Sequence, residues 1–299
     1  MKAGTEVLRS YVLLLLCVTV WGSNIVINSM LLADMPPLLL GASRLLIASL
    51  FLVVYAASTK RLIKLTRRDW IFLLPLGFFG TFISQLFYYA GLTYADATTA
   101  ALIYALGPIT IALLSALFLG ETFTGRLLLG SVFSIAGVYF AVGGSSGLHA
   151  SLGVIYTFAS MVSVAVSYIL IRKWMYRRDP FISSVYWTVI GTCMLIPYSL
   201  TNESLAHLGQ PLWVWLLIAV TSVVGQGLCF VIWNRQINKV GTSRTSLFLY
   251  LQPVVTMIAG YLILGTQIVA SQLAGGLLIV IGVAAATLQA RKGNMVTEA

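Results

Sequence analysis

Charge is what this chain has least of. Only 9% of its 299 residues are Asp, Glu, Lys or Arg, against roughly 25% in ordinary soluble domains. Set beside 59% hydrophobic residues, that shortage excludes a water-soluble globular fold. Acids are scarcest: Glu6, Asp34, Asp69, Asp96, Glu121, Asp179, Glu203 and Glu298 all fall between or at the edges of long apolar runs. So do the two histidines, His149 and His207. The three cysteines (Cys17, Cys193, Cys229) lie inside apolar runs, odd in number and with no disulfide frame or metal spacing. Neither a metal nor a cofactor is called for. No G-x-x-x-x-G-K-[ST] loop is present, which argues against ATP-driven work within this chain.

What the chain does have is apolar runs of about 20 residues, the length that crosses a ~30 Å hydrocarbon core. Ten spans are predicted, at about 11–32, 37–57, 70–90, 97–119, 124–142, 150–171, 181–200, 211–234, 244–264 and 270–290. Tyr11–Leu32 is long enough to span and has no small-residue cleavage site, so no removable signal peptide is expected. With the N-terminus placed in the cytoplasm, 17 of the 18 Lys and Arg fall on the inner side and none outside; Arg44 alone lies within a span. Basic residues are retained on the cytoplasmic side, so both termini are expected there. The net charge of +10 therefore points to a lipid bilayer rather than nucleic acid as partner.

The sequence also repeats itself. Shifted by 145 residues, Ala97–Val138 lies on Thr242–Val283 with ten identities in 42 positions, among them Pro108/Pro253, Gly120/Gly265, Gly130/Gly275 and Gly137/Gly282. The same offset pairs Trp70 with Trp215 and Gly80 with Gly225. The expected organisation is a five-helix unit over 1–142, an external linker over 143–149, a second unit over 150–290 and a cytoplasmic tail over 291–299. Five spans per unit is an odd number, so the copies enter the membrane in opposite senses. Inverted repeats of this kind are the architecture of carriers that bind a solute near the midplane. The predicted fold class is an all-α membrane protein of ten transmembrane helices in two inverted repeats.

These features resemble the drug/metabolite transporter superfamily in its two-domain EamA branch. The resemblance is carried by VWGSNIV at Val20–Val26, by Arg44 in RLLIA, and by Leu119-Gly120-Glu121 followed by Gly130 and Gly137-Val138. The second copy matches through Gly265, Gln272, Gly275 and Gly282-Val283. The sequence departs from the pattern where Thr266 stands in place of an acid and where span 7 has no arginine answering Arg44. The resemblance implies a ten-helix bundle in a bacterial-type inner membrane, with a central cavity lined by spans 1, 3, 4, 6, 8 and 9 and with spans 5 and 10 peripheral. It also points toward export, as in bacterial amino-acid and metabolite exporters.

Polar side chains are costly in lipid, so stripes of them face a cavity or another helix. The candidate solute-binding residues are Trp21, Asn24, Asn28, Gln85, Tyr88, Tyr104, Ser163, Gln226, Trp233, Tyr250 and Gln252. Trp21, Asn24 and Asn28 share one helical face, as do Thr81, Gln85 and Tyr88; Tyr156, Ser160, Ser163 and Ser167 form a third stripe, and Ser222, Gln226 and Trp233 a fourth. For serine and threonine the competing use is helix–helix hydrogen bonding; for the large aromatics it is bulk against lipid. Pro108 and Pro253 lie mid-span, as a permanent kink or a gating hinge. Arg44 contacts either backbone carbonyls or a carboxylate ligand. The glycine pairs seven apart in spans 5 and 10 permit close packing, within one chain or across a homodimer.

A cavity of amides, hydroxyls and aromatic rings with a single cation suits a small neutral, zwitterionic or lipophilic metabolite such as an amino acid. Phosphate recognition calls for several basic groups. A proton-coupled carrier generally needs a titratable group in its pathway, and the spans hold no acid or histidine. Two other classes compete. An intramembrane enzyme would use Gly144-Ser145-Ser146-Gly147, but that segment reads as a loop with His149 only three residues from Ser146. A membrane scaffold or partner protein would not require polar stripes on opposed repeats.

Overall fold

The structure is a computed structural model, and it describes residues 2–120, 125–143, 151–174, 179–240, 245 and 247–287. Its regular elements are all helical among the described residues. In chain order they are α1 (Lys2–Leu31), α2 (Pro37–Ser58), α3 (Arg67–Gly77), a π-helical turn (Phe78–Ile83), α4 (Ser84–Tyr94), α5 (Ala97–Tyr104), α6 (Gly107–Leu119) and α7 (Gly125–Gly143). There follow α8 (Leu152–Trp174), α9 (Pro180–Asn202), a 3-10 turn (Leu205–Leu208), α10 (Leu212–Thr221), a second π-helical turn (Ser222–Leu228) and α11 (Cys229–Val240). A further 3-10 turn (Leu247–Leu251) leads into α12 (Gln252–Leu264), and α13 (Ala270–Thr287) ends the described chain.

Helices follow from the solvent: in hydrocarbon every backbone N–H and C=O must find its partner within the segment. Seven helical stretches are long and apolar enough to cross a membrane, and three shorter apolar ones lie at Leu128–Gly137, Gln252–Leu264 and Ala270–Gly282. These seven lie on seven of the stretches expected from the sequence, and the shorter three lie within the other three, among the described residues. Their surface is greasy, and the polar side chains of the spans lie inside, among a largely apolar core. Leu117, Leu212 and Leu262 are each more than 70% exposed, whereas Asn28, Arg44, Ser160 and Thr256 are buried. The acids serve at helix ends, where an anion meets the unpaired N–H groups. Thr66 and Asp69 form a capping box on α3, Asp96 caps α5 and Asp179 caps α9. Glu203, just past α9, accepts the Leu38 and Leu39 N–H groups at the start of α2 at 3.0 and 2.6 Å.

The 145-residue offset seen in the sequence recurs in local geometry. α6 and α12 begin and end 145 residues apart, and both stop at a left-handed glycine, Gly120 (φ 68°) and Gly265 (φ 65°). At Gly265 the helix is closed by its own N–H on the Tyr261 carbonyl and by the Thr266 N–H on the Gly260 carbonyl. Thr266 thus takes a terminating position, whatever side chain stands there. Pro108 and Pro253 sit in the first turn of α6 and α12, after a break in each span. A proline there forgoes an N–H that would have no intrahelical partner in any case; the helix is interrupted before it, at Ala105–Leu106 in the first copy.

Packing crosses between the halves. α1 and α2 lie against the second π turn, while α8 and α9 lie against the first; α1 also packs on α12, and α6 on α8. The end helices α7 and α13 pack on one another so closely that a methyl at Gly137 would lie 2.6 Å from the Gly275 carbonyl. Gly137 and Gly275 thus meet within one chain.

Candidate functional site

The two π turns open the site. A π turn inserts a residue into the helical ladder and puts carbonyls out of register, so partners must come from elsewhere. The Trp21 Nε1–H donates to the Gly225 carbonyl at 2.8 Å, and the Ser163 hydroxyl donates to the Phe79 carbonyl at 2.8 Å. Each half thus supplies the donor that the other half's π turn lacks. The extra residue also rotates the helix face. Gly80, Ser84, Gln85 and Tyr88 turn toward the centre, while Thr81 faces away, onto Gly191 of α9.

At the centre is a cavity of about 220 Å³ lined by Trp21, Asn24, Ile25, Asn28, Arg44, Gly80, Ser84, Gln85, Tyr88, Tyr104, Val164, Gln226 and Gln252. Eight of the eleven residues expected to bind solute are on its wall: Trp21, Asn24, Asn28, Gln85, Tyr88, Tyr104, Gln226 and Gln252. Ser163 is not, since its hydroxyl is committed to the Phe79 carbonyl. Trp233 lies one layer away, buried, with its ring 4.8 Å from that of Trp21. The side chain of Tyr250 lies outside what the structure describes, as do that of Pro108 and residues 144–150 with their serine motif and His149. The elements lining the cavity are those the resemblance implied, with α2 added through Arg44.

Arg44 bonds to side chains rather than to backbone carbonyls. Its Nη1 donates to Thr221 Oγ1 at 2.5 Å and its Nη2 to Asn24 Oδ1 at 2.9 Å. Thr221 in turn donates to the Leu217 carbonyl at 2.6 Å, and Asn24 Nδ2 donates to the Thr221 carbonyl at 3.4 Å. One turn further along α1, Asn28 Nδ2 donates to the Tyr88 hydroxyl at 3.1 Å. Ser160 gives its only proton to the Ser84 carbonyl at 2.5 Å, so the Tyr104 hydroxyl, 2.6 Å from Ser160 Oγ, is the donor of that pair. Ser160 and Ser163 of α8, and Thr256 of α12, which donates to the Gly22 carbonyl at 3.1 Å, join helices, while Ser167 donates within α8 to the Val164 carbonyl.

Other polar atoms of the wall are left over. Among the described residues, Asn28 Oδ1, Gln85 Oε1, Gln226 Oε1 and Arg44 Nε are buried without a hydrogen-bond partner. On the N-terminal side of Trp21, α1 packs against α11 and the 3-10 turn before α12. Leu14, Cys17 and Val18 are fully buried against Cys229 and Trp233, Tyr11 meets Phe248 with ring centroids 5.5 Å apart, and the Cys17 thiol donates to the Cys229 carbonyl at 3.5 Å. Ser84 and Val164 were not among the expected residues. Ser84 sits one place from Gln85, and only the π turn brings both to the wall.

Comparison with known proteins gives one consistent result. The pattern of the EamA-like transporter family matches this chain twice, over residues 8–143 and 151–288. A Bacillus subtilis protein named uncharacterized transporter YyaM is 32% identical over 227 residues, 74% of this chain and 74% of that one. An Escherichia coli protein named probable amino-acid metabolite efflux pump is 28% identical over 288 residues, covering 91% and 92% of the two chains. A crystal structure at 21% identity superposes with a TM-score of 0.68 over 94% of this chain and 98% of that one, which shows the shared fold.

Proposed function

The chain belongs to the EamA-like transporter family and is a multi-pass membrane transporter, and from that premise we propose that it moves a small neutral or zwitterionic metabolite through the central cavity. The two halves act as inverted five-helix repeats in a ten-span bundle and expose the cavity alternately to either side. Both termini lie in the cytoplasm of a bacterial-type inner membrane. The second match of the family pattern, the paired π turns and the paired left-handed glycines support the repeat. The direction is export, a reading supported by the printed name of the Escherichia coli relative.

One observation carries the solute-binding reading: Gln85 from one half and Gln226 from the other line the same cavity, and the amide oxygen of each is buried without a partner among the described residues. A buried unpaired acceptor costs about 1–3 kcal/mol, so the site is complete only with a donor from water or solute. The cavity's 220 Å³ is below the ~300–1,000 Å³ of pockets for drug-sized ligands. That favours a metabolite of amino-acid size over dyes or larger lipophilic drugs.

The test is solute flux in proteoliposomes, with amino acids, sugars and nucleosides as the panel. Flux of at least one amino acid is expected, and Gln85→Ala combined with Gln226→Ala should abolish it. Unchanged flux in that double variant would remove both residues from the solute path.

A further inference from the structure

Arg44 is 1% exposed and forms part of the cavity wall. A guanidinium has five N–H donors; its two hydrogen bonds go to uncharged groups, Thr221 Oγ1 and Asn24 Oδ1. Nε is buried with no partner in hydrogen-bond geometry among the described residues, the Tyr89 hydroxyl next to the guanidinium being likewise unpartnered. The described residues lining the cavity include no carboxylate. A cation held in this way at membrane depth costs several kcal/mol unless a counter-charge arrives. Nor can it move out to the headgroups, because Asn24 of α1 and Thr221 of α10 hold the fork from two sides. The remaining unpartnered atoms of the wall are all acceptors: Asn28 Oδ1, Gln85 Oε1 and Gln226 Oε1. The complement of such a wall is a molecule with one anionic group and several N–H or O–H donors.

We infer that Arg44 sets the charge selectivity of the cavity, binding a single carboxylate of the solute through Nε and an adjacent Nη while Asn24 and Thr221 orient it. Monocarboxylates and zwitterions are accepted; organic cations without a carboxylate are excluded, because they would set a second positive charge beside an unneutralised first. Planar, forked geometry matters here, since Nε and Nη together match the two oxygens of a carboxylate and an ammonium does not. The inference rests on the solute-binding reading of the same cavity.

The test uses the full-length protein in an uncharged detergent and four solutes of one shape: L-leucine, 4-methylpentanoate, isoamyl alcohol and isoamylamine. Thermal unfolding is followed at 10 mM of each. The two carboxylates are expected to raise the midpoint and the amine to leave it unchanged. R44Q is expected to weaken carboxylate binding at least tenfold, with R44K retaining part of it. If R44Q does not fold, R44K and the wild-type ranking decide. Stabilisation by the amine equal to that by the carboxylates overturns the inference, as does carboxylate binding of unaltered strength in R44Q. A response to the alcohol alone overturns the role of Arg44 and leaves the solute-binding cavity standing. No response to any of the four overturns both.

Discussion

Gly225 offers a way to disturb the cavity without disturbing the bundle. It sits in the second π turn, where an added Cβ would lie 2.1 Å from Asn24 Nδ2, with the next atoms of Asn24 at 3.2 and 3.8 Å. The obstacle is the tip of one side chain, not backbone, so Gly225→Ala is relieved by rotating Asn24. That rotation withdraws Nδ2 from the Thr221 carbonyl and Oδ1 from Arg44. A hydrogen bond to a charged group contributes about 1.5–3 kcal/mol, and interhelical bonds in membranes average about 0.6 with a maximum near 1.7. A loss of about 1–2 kcal/mol follows, which is about 5- to 30-fold in affinity for a solute that depends on the oriented guanidinium. The assay is solute binding to wild type, Gly225→Ala, Asn24→Ala and the double variant. Because the methyl acts through Asn24, its effect should nearly vanish in the Asn24→Ala background. If Gly225→Ala weakens binding equally with and without Asn24, the steric route from glycine to guanidinium is wrong.

Gly137→Ala should behave in the opposite way. Its methyl meets backbone, the Gly275 carbonyl at 2.6 Å and the Ile279 nitrogen at 2.9 Å, so α7 and α13 must part; a loss of about 1–3 kcal/mol should appear in thermal unfolding while solute affinity holds. Glu203→Gln removes the anion that faces the first N–H groups of α2 at 3.0 and 2.6 Å. It should lower stability by about 0.3–1 kcal/mol, read as a denaturation midpoint, with flux per folded molecule unchanged. The described cavity lining holds no Asp, Glu or His. A pH gradient alone should therefore fail to drive uphill flux in vesicles, and solute accumulation against its gradient under that force would refute this.

The membrane assignment and most of the wall were legible in the chain because one physical rule covers both, and the family was legible through short motifs such as VWGSNIV and Leu119-Gly120-Glu121. Hydrocarbon penalises polar groups, so a polar residue that recurs on one face of an apolar helix has somewhere polar to go. That rule picked out Trp21, Asn24, Asn28, Gln85, Tyr88, Tyr104, Gln226 and Gln252, which line the cavity. It could not separate Ser163 from Gln85, because a hydroxyl satisfied by a neighbouring carbonyl and an amide awaiting a ligand look alike in sequence. Nor could it find the π turns. Periodic reading assumes a regular helix, and one inserted residue moves Ser84 to the wall and takes Thr81 from it.

Sequence alone determined what is local or additive: the apolar spans, the sidedness of charge, the duplication, and the acids and glycines that start and stop helices. Their causes act within a turn or two of each residue, or on composition summed over about 20 residues. The tertiary structure decided which partners polar groups separated by many residues would meet. Arg44 finds Thr221 and Asn24, and Trp21 finds the Gly225 carbonyl. The amide oxygens of Gln85 and Gln226 find none among the described residues. A hydrogen bond requires two groups within about 3 Å, and across 204 residues, as for Trp21 and Gly225, only the folded bundle sets that distance.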